Sequence, residues 1–494
     1  MNFKCIIRHS LIFFIKFKKF LKTLLQGNRF VSKIQLMKHY DVLVVGSGGG
    51  TKLVRPVAKL GKNVALVEKG PLGGTCLNRG CIPSKMLIQS AHLASLMQDS
   101  ERFEIYLKGG FTVDFPHLVN RVSTTVDNES KSIAPLYEQD RNIDYYPHAA
   151  SFVDEMTLQV GDETISADKI FLAVGARAAI PNIPGLEETP FMTYDQALRH
   201  MTQPEKLIVI GGGYIATELG YFYAALGTQT EFLVRSKLLR PEDDDVREAF
   251  QEAFSKQVTL RIKCDFKEVK YVNGIFSVRY VDGEGKEQVS EGDALLVATG
   301  IEPWTDSLNL KKTKVKCNKK GFIQVDDYLR TSQKNVWALG DCVGNYLFRH
   351  SANFEGEYLF RTLFENPSDE PICYKAIPHA VFTHPEIAGV GKTERELKEA
   401  LVDYIVGKND YKDSAKGMAL MPETGFVKLL FDKSSLRLLG AHIVGDEASN
   451  MIHMLIVCIN MDATLHDLLK MVYIHPALPE IVRNAARNAK KQVP

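Results

Sequence analysis

Two segments of this chain repeat one pattern: an apolar strand, a glycine-rich turn, a helix and a second strand. No other feature restricts the fold as tightly. In the first segment Tyr40–Val45 runs into Gly46-Ser47-Gly48-Gly49-Gly50, a helix continues to Leu60, Gly61 stops it, and Asn63–Val67 ends at Glu68. In the second, Lys206–Ile210 leads to Gly211-Gly212-Gly213-Tyr214, a helix runs to Gly227, and Thr228–Val234 follows. Glycines at such a turn let the backbone close on a pyrophosphate at the helix N-terminus, and an acid ending the second strand takes ribose hydroxyls. A lone glycine pair says little. The strand before it, the helix after it and Glu68, twenty residues past Gly48, make a dinucleotide unit. One chain with two such units binds two nucleotides. Thr51 where a third glycine is expected, and Pro56 inside the helix, predict a kink and looser helix–sheet packing in the first unit.

Between the units stands Gly73-Gly74-Thr75-Cys76-Leu77-Asn78-Arg79-Gly80-Cys81-Ile82-Pro83-Ser84-Lys85. Two sulfurs this close bridge only if the chain between them coils, because a disulfide tolerates a narrow range of Cα separations. A helix predicted from Ser84 to about Gln98 puts the pair at its N-terminus, where the dipole favours thiolate over thiol. A zinc site would need a second ligand pair, and none with that spacing follows. The pair reads as a redox centre, and no metal site is expected.

The other cysteines of the eight are scattered, unlike a secreted disulfide framework, so the expectation is an intracellular, cytoplasmic protein. Apolar content of 45% and charged content of 24% are those of a globular domain protein, and a net charge of +2 gives no reason to invoke nucleic acid. The first 37 residues differ: they carry eight Lys/Arg and no acid, which leaves the remainder at −6. Their apolar run, Leu11–Ile15, is too short and too interrupted by lysine to span a bilayer. They read as a targeting or membrane-surface segment, or as an over-long start before Met37; the second reading is preferred, and no firm membrane association is expected.

Two further strand-then-glycine segments, Lys169–Gly175 and Asp293–Gly300, lie between and after the units, and Thr331–Asp341 places an acid beside a glycine at a strand end. Beyond about residue 370 the texture shifts to alternating runs (Ala380–Phe382, Gly425–Phe431, Leu438–Val444) and an apolar helix, Ala448–Met461. That is a separate α+β module. The predicted fold is α/β, with two Rossmann-like dinucleotide-binding domains and a C-terminal α+β dimerisation domain. The expected division is 1–37 extension, 38–190 first dinucleotide domain with the cysteines, 191–302 second dinucleotide domain, 303–369 returning to the first domain, and 370–494 dimerisation domain.

These motifs, together with Ile474-His475-Pro476-Ala477-Leu478-Pro479-Glu480, resemble the FAD-dependent pyridine nucleotide–disulfide oxidoreductases, over about Tyr40 to Arg487. Arg349-His350-Ser351-Ala352-Asn353 is most similar to mycothione reductase-like members, with dihydrolipoamide dehydrogenase-like members beside them. The resemblance implies FAD on Gly46, Gly48 and Glu68, with Gly175 nearby and Asp341 on the ribityl chain. It implies Cys81 against the flavin as charge-transfer thiolate, Cys76 as interchange thiol, and Lys85 paired with Glu218. It further implies a homodimer in which His475, oriented by Glu480, enters the partner's active site, with a cis bond before Pro476. A histidine so fixed is the natural proton donor for a departing thiolate. The substrate implied is a small disulfide or dithiol. Ile301-Glu302-Pro303-Trp304 after Gly300 departs from the family's pattern and puts contacts there in doubt. The missing C-terminal cysteine pair, and the absence of a metal-binding module before Tyr40, argue against a mercuric reductase.

The second unit, with Gly211 and Gly213, is the nicotinamide site. Seven residues past Gly61 stands Glu68, but seven past Gly227 stands Val234, followed by Arg235, Lys237 and Arg240. Absence of the acid and a cluster of cations suit a 2′-phosphate, so NADP(H) is expected ahead of NAD(H). Glu231 is at the wrong offset. Tyr214 resembles the tyrosine lid of glutathione reductase-like members and reads equally as a packing aromatic. The rivals to NADPH-driven disulfide reduction are NAD+-linked dihydrolipoamide dehydrogenase, a redox-silent FAD-binding scaffold, and a quinone reductase activity that needs no cysteines.

Overall fold

The structure, a computed structural model, describes residues 37–493. The basic segment and the readings placed on it lie outside the described residues, apart from Met37. The first sheet takes the order Ile143–Tyr146, Val64–Val67, Lys38–Val45, Glu163–Leu172, Thr157–Val160, Ala150–Asp154, and Val336–Ala338 also pairs with Glu163–Leu172. Its first four strands and Val336–Ala338 run parallel, and a small antiparallel flap continues one side. The central strands carry valine, leucine and isoleucine on both faces, as a parallel sheet covered on both sides requires.

The second sheet orders Thr259–Ile262, Gln229–Val234, Lys206–Ile210 and Ala294–Val297, all parallel, beside an antiparallel sheet from Asp265–Val272, Ile275–Val281 and Glu287–Gly292. Beyond residue 370 a five-stranded antiparallel sheet orders Pro378–Val381, Ile387–Gly391, Leu438–Val444, Phe426–Asp432 and Tyr404–Asp410. The helices Ala448–Asn460 and Pro479–Lys490 close its core. No described helix is long and apolar enough to cross a membrane.

The expected looseness of the first unit is corrected. Its helix, Thr51–Lys59, runs on past Pro56. Close packing is supplied by the glycines before it: a Cβ on Gly50 would stand 2.6 Å from Val44 Cγ1, and one on Gly49 2.8 Å from the Ala352 carbonyl oxygen. Thr51 Oγ1 donates to the Gly48 carbonyl at 2.9 Å, so threonine ties the turn instead of opening it. In the second unit the close approach falls on the helix Tyr214–Ala225, where a Cβ on Gly220 would lie 2.2 Å from Phe232 Cζ. Gly220→Ala is therefore expected to destabilise the protein by about 1–3 kcal/mol despite alanine's better helix propensity, because overpacking outweighs about 1 kcal/mol of backbone gain. Denaturant unfolding measures it, and a stabilised variant would refute the contact.

Candidate active site

The cysteines occupy two helices, not the start of one. Cys76 lies in the short helix Gly74–Arg79, and Cys81 is the first residue of the helix Cys81–Gln98, three residues earlier than the sequence predicted. Gly80 joins them with φ −144° and ψ −118°; a Cβ there would press 2.9 Å from the Thr75 carbonyl oxygen. Both cysteines are half-buried thiols. The Cys76 thiol is drawn down to about 7, first by the hydrogen bond from Cys81; burial opposes this, and Arg349, the Cys81 N–H and Lys85 add to it. The same hydrogen bond pushes Cys81 up. Above about pH 7 the pair therefore holds one charge, on Cys76, and one shared proton.

One turn beyond Cys81, Lys85 Nζ meets Glu218 Oε2 at 2.7 Å, across to the second nucleotide unit. The other Glu218 oxygen accepts the Phe382 N–H at 3.1 Å, and Lys85 lies 4.4 Å from the centroid of the Phe382 ring. Three parts of the fold meet at this one carboxylate.

The first glycine turn fits a dinucleotide. Gly46 has φ +107°, and a Cβ on it would stand 2.2 Å from the Ala173 carbonyl oxygen. A Cβ on Gly74 would stand 2.7 Å from the Gly48 Cα, so the cysteine segment is laid directly on the turn. Glu68 accepts from the Ser47 N–H and hydroxyl, each at 2.8 Å, and from the Gly70 N–H at 2.8 Å. A carboxylate has about four lone-pair sites, which leaves acceptor capacity for a ribose. Asp341 forms no hydrogen bond among the described residues, and burial pushes its carboxyl up to about 6 against the pull of Arg349. An acceptor held without a partner suits a hydroxylated chain such as the ribityl of FAD. Gly175 (φ +70°) accepts the Trp304 N–H at 3.0 Å, and Gly300 (φ +126°) accepts that of Ala179 at 3.0 Å.

Residues 40–356 match the family model described as pyridine nucleotide-disulphide oxidoreductase, and residues 377–486 match that family's dimerisation domain. The chain belongs to this family. It is 34% identical to the mycothione reductase of Mycobacterium tuberculosis, over 91% of this chain and 99% of that one. It is 34% identical to the dihydrolipoyl dehydrogenase of Trypanosoma brucei brucei, over 90% and 95%. The mercuric reductase of Staphylococcus aureus is 32% identical, over 92% and 83%. Among solved structures, the Cu(II) complex of the HOCl-induced flavoprotein disulfide reductase RclA from Escherichia coli superposes with a TM-score of 0.80 at 25% identity, over 92% of this chain and all of that one. This oxidoreductase is an FAD-dependent enzyme that uses a pyridine nucleotide and carries a dimerisation domain.

In the oxidoreductase the departure at Ile301–Pro303 is accommodated by local pairing. These residues form a strand with Ala176–Ala178, and Glu302 meets Arg177 at 2.7 Å. Trp304 carries Lys69 on its face, 3.6 Å from the ring centroid. His475 sits in an exposed turn and is joined to Pro476 by a cis peptide bond. Its Nδ1 contacts Glu480 Oε2 at 3.0 Å, and Arg483 holds the other Glu480 oxygen at 2.7 Å. No hydrogen bond or ion pair among the described residues joins His475 to the cysteines of its own chain.

At the second turn a Cβ on Gly211 would stand 2.2 Å from the Ala298 carbonyl oxygen, while Gly213 faces open space. Glu231 is buried between Lys206 at 3.3 Å and Arg261 at 3.4 Å. Arg235, Lys237 and Arg240 are exposed, and none has an ion pair among the described residues. Arg349, beside Cys76, Asp341 and the Gly48 turn, was missed as a site residue. Its part of the chain had been singled out, but only the fold aims the guanidinium there.

Proposed function

We propose that this oxidoreductase reduces a small disulfide with electrons from NADPH, through FAD and the Cys76–Cys81 pair. The observation that supports it most is the sulfur pair, with one ionised thiol near neutral pH, laid against the first glycine turn and one helical turn from the Lys85–Glu218 bridge. FAD, when bound, carries the electron pair from the nicotinamide to the disulfide. Gly46, Gly48, Glu68 and Asp341 would hold it, and Cys81 would be the sulfur that takes electrons from it. The Cys76 thiolate attacks one sulfur of the substrate; that S–S bond breaks, and the departing thiolate takes a proton from His475 of the partner subunit. Cys81, its proton taken by His475 of the partner subunit, then attacks the Cys76 sulfur; the second thiolate leaves, takes up that proton, and the Cys76–Cys81 bond is restored. One NADPH, one proton and one disulfide give NADP+ and two thiols.

The domain division read from the sequence belongs to this proposal, and so does a cytoplasmic setting, supported by the scattered cysteine spacing. A second reading, oxidation of dihydrolipoamide with NAD+, is favoured by the likeness to the trypanosomal dihydrolipoyl dehydrogenase. Purified protein assayed with NADPH and NADH against lipoamide, glutathione disulfide, mycothione and mercuric ion separates the readings. Activity with none of these acceptors, in a protein that retains its flavin, refutes disulfide reduction. The free cations support NADP(H): Arg235→Glu is expected to raise the KM for NADPH by about 10–100-fold and to favour NADH, since a phosphate contact becomes a repulsion. A wild-type preference for NADH refutes the cation argument and strengthens the second reading.

A further inference from the structure

The cations read as holding a 2′-phosphate stand on a loop whose far end is gripped by another module. Arg235, Lys237 and Arg240 follow the strand Gln229–Val234, and the helix Asp244–Phe254 begins four residues past Arg240. Between the cations Leu238 and Leu239 are buried, and the Leu239 N–H donates to the Gly212 carbonyl at 2.7 Å, which lays the loop on the second glycine turn. Leu239 has φ +45°, a left-handed conformation that a leucine keeps only where its surroundings hold it.

Part of that hold comes from the dimerisation module. Lys428, midway along the strand Phe426–Asp432 and 1% exposed, meets Asp243 at 2.8 Å, Asp245 at 3.1 Å and Glu394 at 2.5 Å. Asp243 is the N-cap of the helix Asp244–Phe254, and its other oxygen accepts the Glu394 N–H at 3.0 Å. Arg395 meets Asp244 at 3.2 Å and donates to the Arg240 carbonyl at 3.4 Å. Glu242 meets His379 of the same module at 2.9 Å, and its other oxygen accepts the Tyr214 hydroxyl at 2.7 Å. Burial opposes charge on Lys428, yet its hydrogen bonds to Asp243 and Glu394 raise it above the usual lysine range, so it stays an ammonium. Stability alone gives no reason for such a cluster, since apolar side chains of the same volume often serve a buried site as well. What the ions do fix is the place of one segment against another.

We propose that Lys428 and Arg395, from the dimerisation module, are positioning residues for nucleotide choice: they clamp the end of the Arg235–Arg240 loop and so hold its cations where a 2′-phosphate meets them. This role rests on the reading of that loop as the NADP(H)-selecting site. Neither residue touches the nucleotide; both act through the loop. A nucleotide without the phosphate does not use the cations and does not feel the clamp.

The test uses the FAD-loaded dimer and reads the concentration of NADPH or NADH that half-saturates flavin reduction. Lys428→Met removes the ammonium at similar volume and leaves three acids facing one another. The loop then shifts, and the half-saturating NADPH rises about tenfold while that for NADH stays within about twofold. In an Arg235→Ala background, where a phosphate contact is already gone, Lys428→Met costs NADPH much less than in the wild type. Arg395→Gln, at a side chain 36% exposed, loosens the loop at Arg240 and raises the NADPH value about threefold. It decides alone where Lys428→Met does not fold. A merely structural cluster would lower the thermal midpoint and weaken both nucleotides alike. Equal losses for NADPH and NADH, effects additive with Arg235→Ala, or an unchanged NADPH value in both variants overturn the role. A wild type that does not favour NADPH fells the 2′-phosphate reading itself, and the role falls with it.

Discussion

In a Cys76→Ser variant, turnover of a disulfide substrate should fall by roughly 10⁴-fold or more, while reduction of the bound flavin by the nicotinamide persists. Serine is nearly isosteric with cysteine, so the half-buried site keeps its packing. Its hydroxyl has no thiolate at neutral pH and cannot form the mixed disulfide. The hydrogen bond from Cys81 that draws Cys76 down to about 7 would then meet a poor nucleophile. Cys81→Ser should be equally inactive toward disulfides and should also lose the long-wavelength charge-transfer absorbance on two-electron reduction, which Cys76→Ser shows without reduction. Two spectra and one assay therefore separate the two sulfurs. A band indifferent to Cys81, or a Cys76→Ser enzyme that still turns over disulfides, would reverse or remove the assigned roles.

His475→Ala should lower activity by about 10²–10⁴-fold, the usual contribution of a positioned acid–base group. Glu480 holds the ring through Nδ1, leaving Nε2 to work in an exposed turn that makes no bond to the cysteines of its own chain. The dimerisation domain carries Val457 and Met461 exposed at one helix end, and Val472 and Ile474 exposed beside that turn, side chains that a partner would cover. Co-expression of inactive Cys76→Ser chains with inactive His475→Ala chains should therefore restore activity. Random pairing makes about half the molecules heterodimers with one working site of two, so about a quarter of wild-type activity is expected for independent sites. No recovery from verified heterodimers would place both residues in one chain's site.

Much of the architecture was legible because glycine and proline act locally. The turn at Gly46 and the turn at Gly211 hold φ of +107° and +143° against carbonyls that leave no room for a Cβ, a constraint visible in three or four letters. The strand Leu438–Val444 has the limits read from its alternation, and the helix Ala448–Met461 ends one residue early. The cysteine helix starts at Cys81, three residues before the predicted Ser84, because proline is well tolerated in a first turn and Pro83 lies within it. The doubt raised by Thr51 was misplaced, since the close approach had moved to Gly49 and Gly50, and no local pattern shows what lies opposite.

The sequence by itself determined two nucleotide units, a redox cysteine pair, a C-terminal module and the histidine–carboxylate turn, because each is written in short spacings with local geometry. Only the tertiary structure decided what those pieces face. It set Glu218 against Lys85, Arg349 beside Cys76 and Asp341, and Lys69 on the ring of Trp304. It also enclosed Glu242 with Tyr214 and His379, residues 28 and 137 positions away along the chain. Charge is felt across space at a few ångströms, and burial decides how strongly. Neither the distance nor the burial exists until the chain has folded.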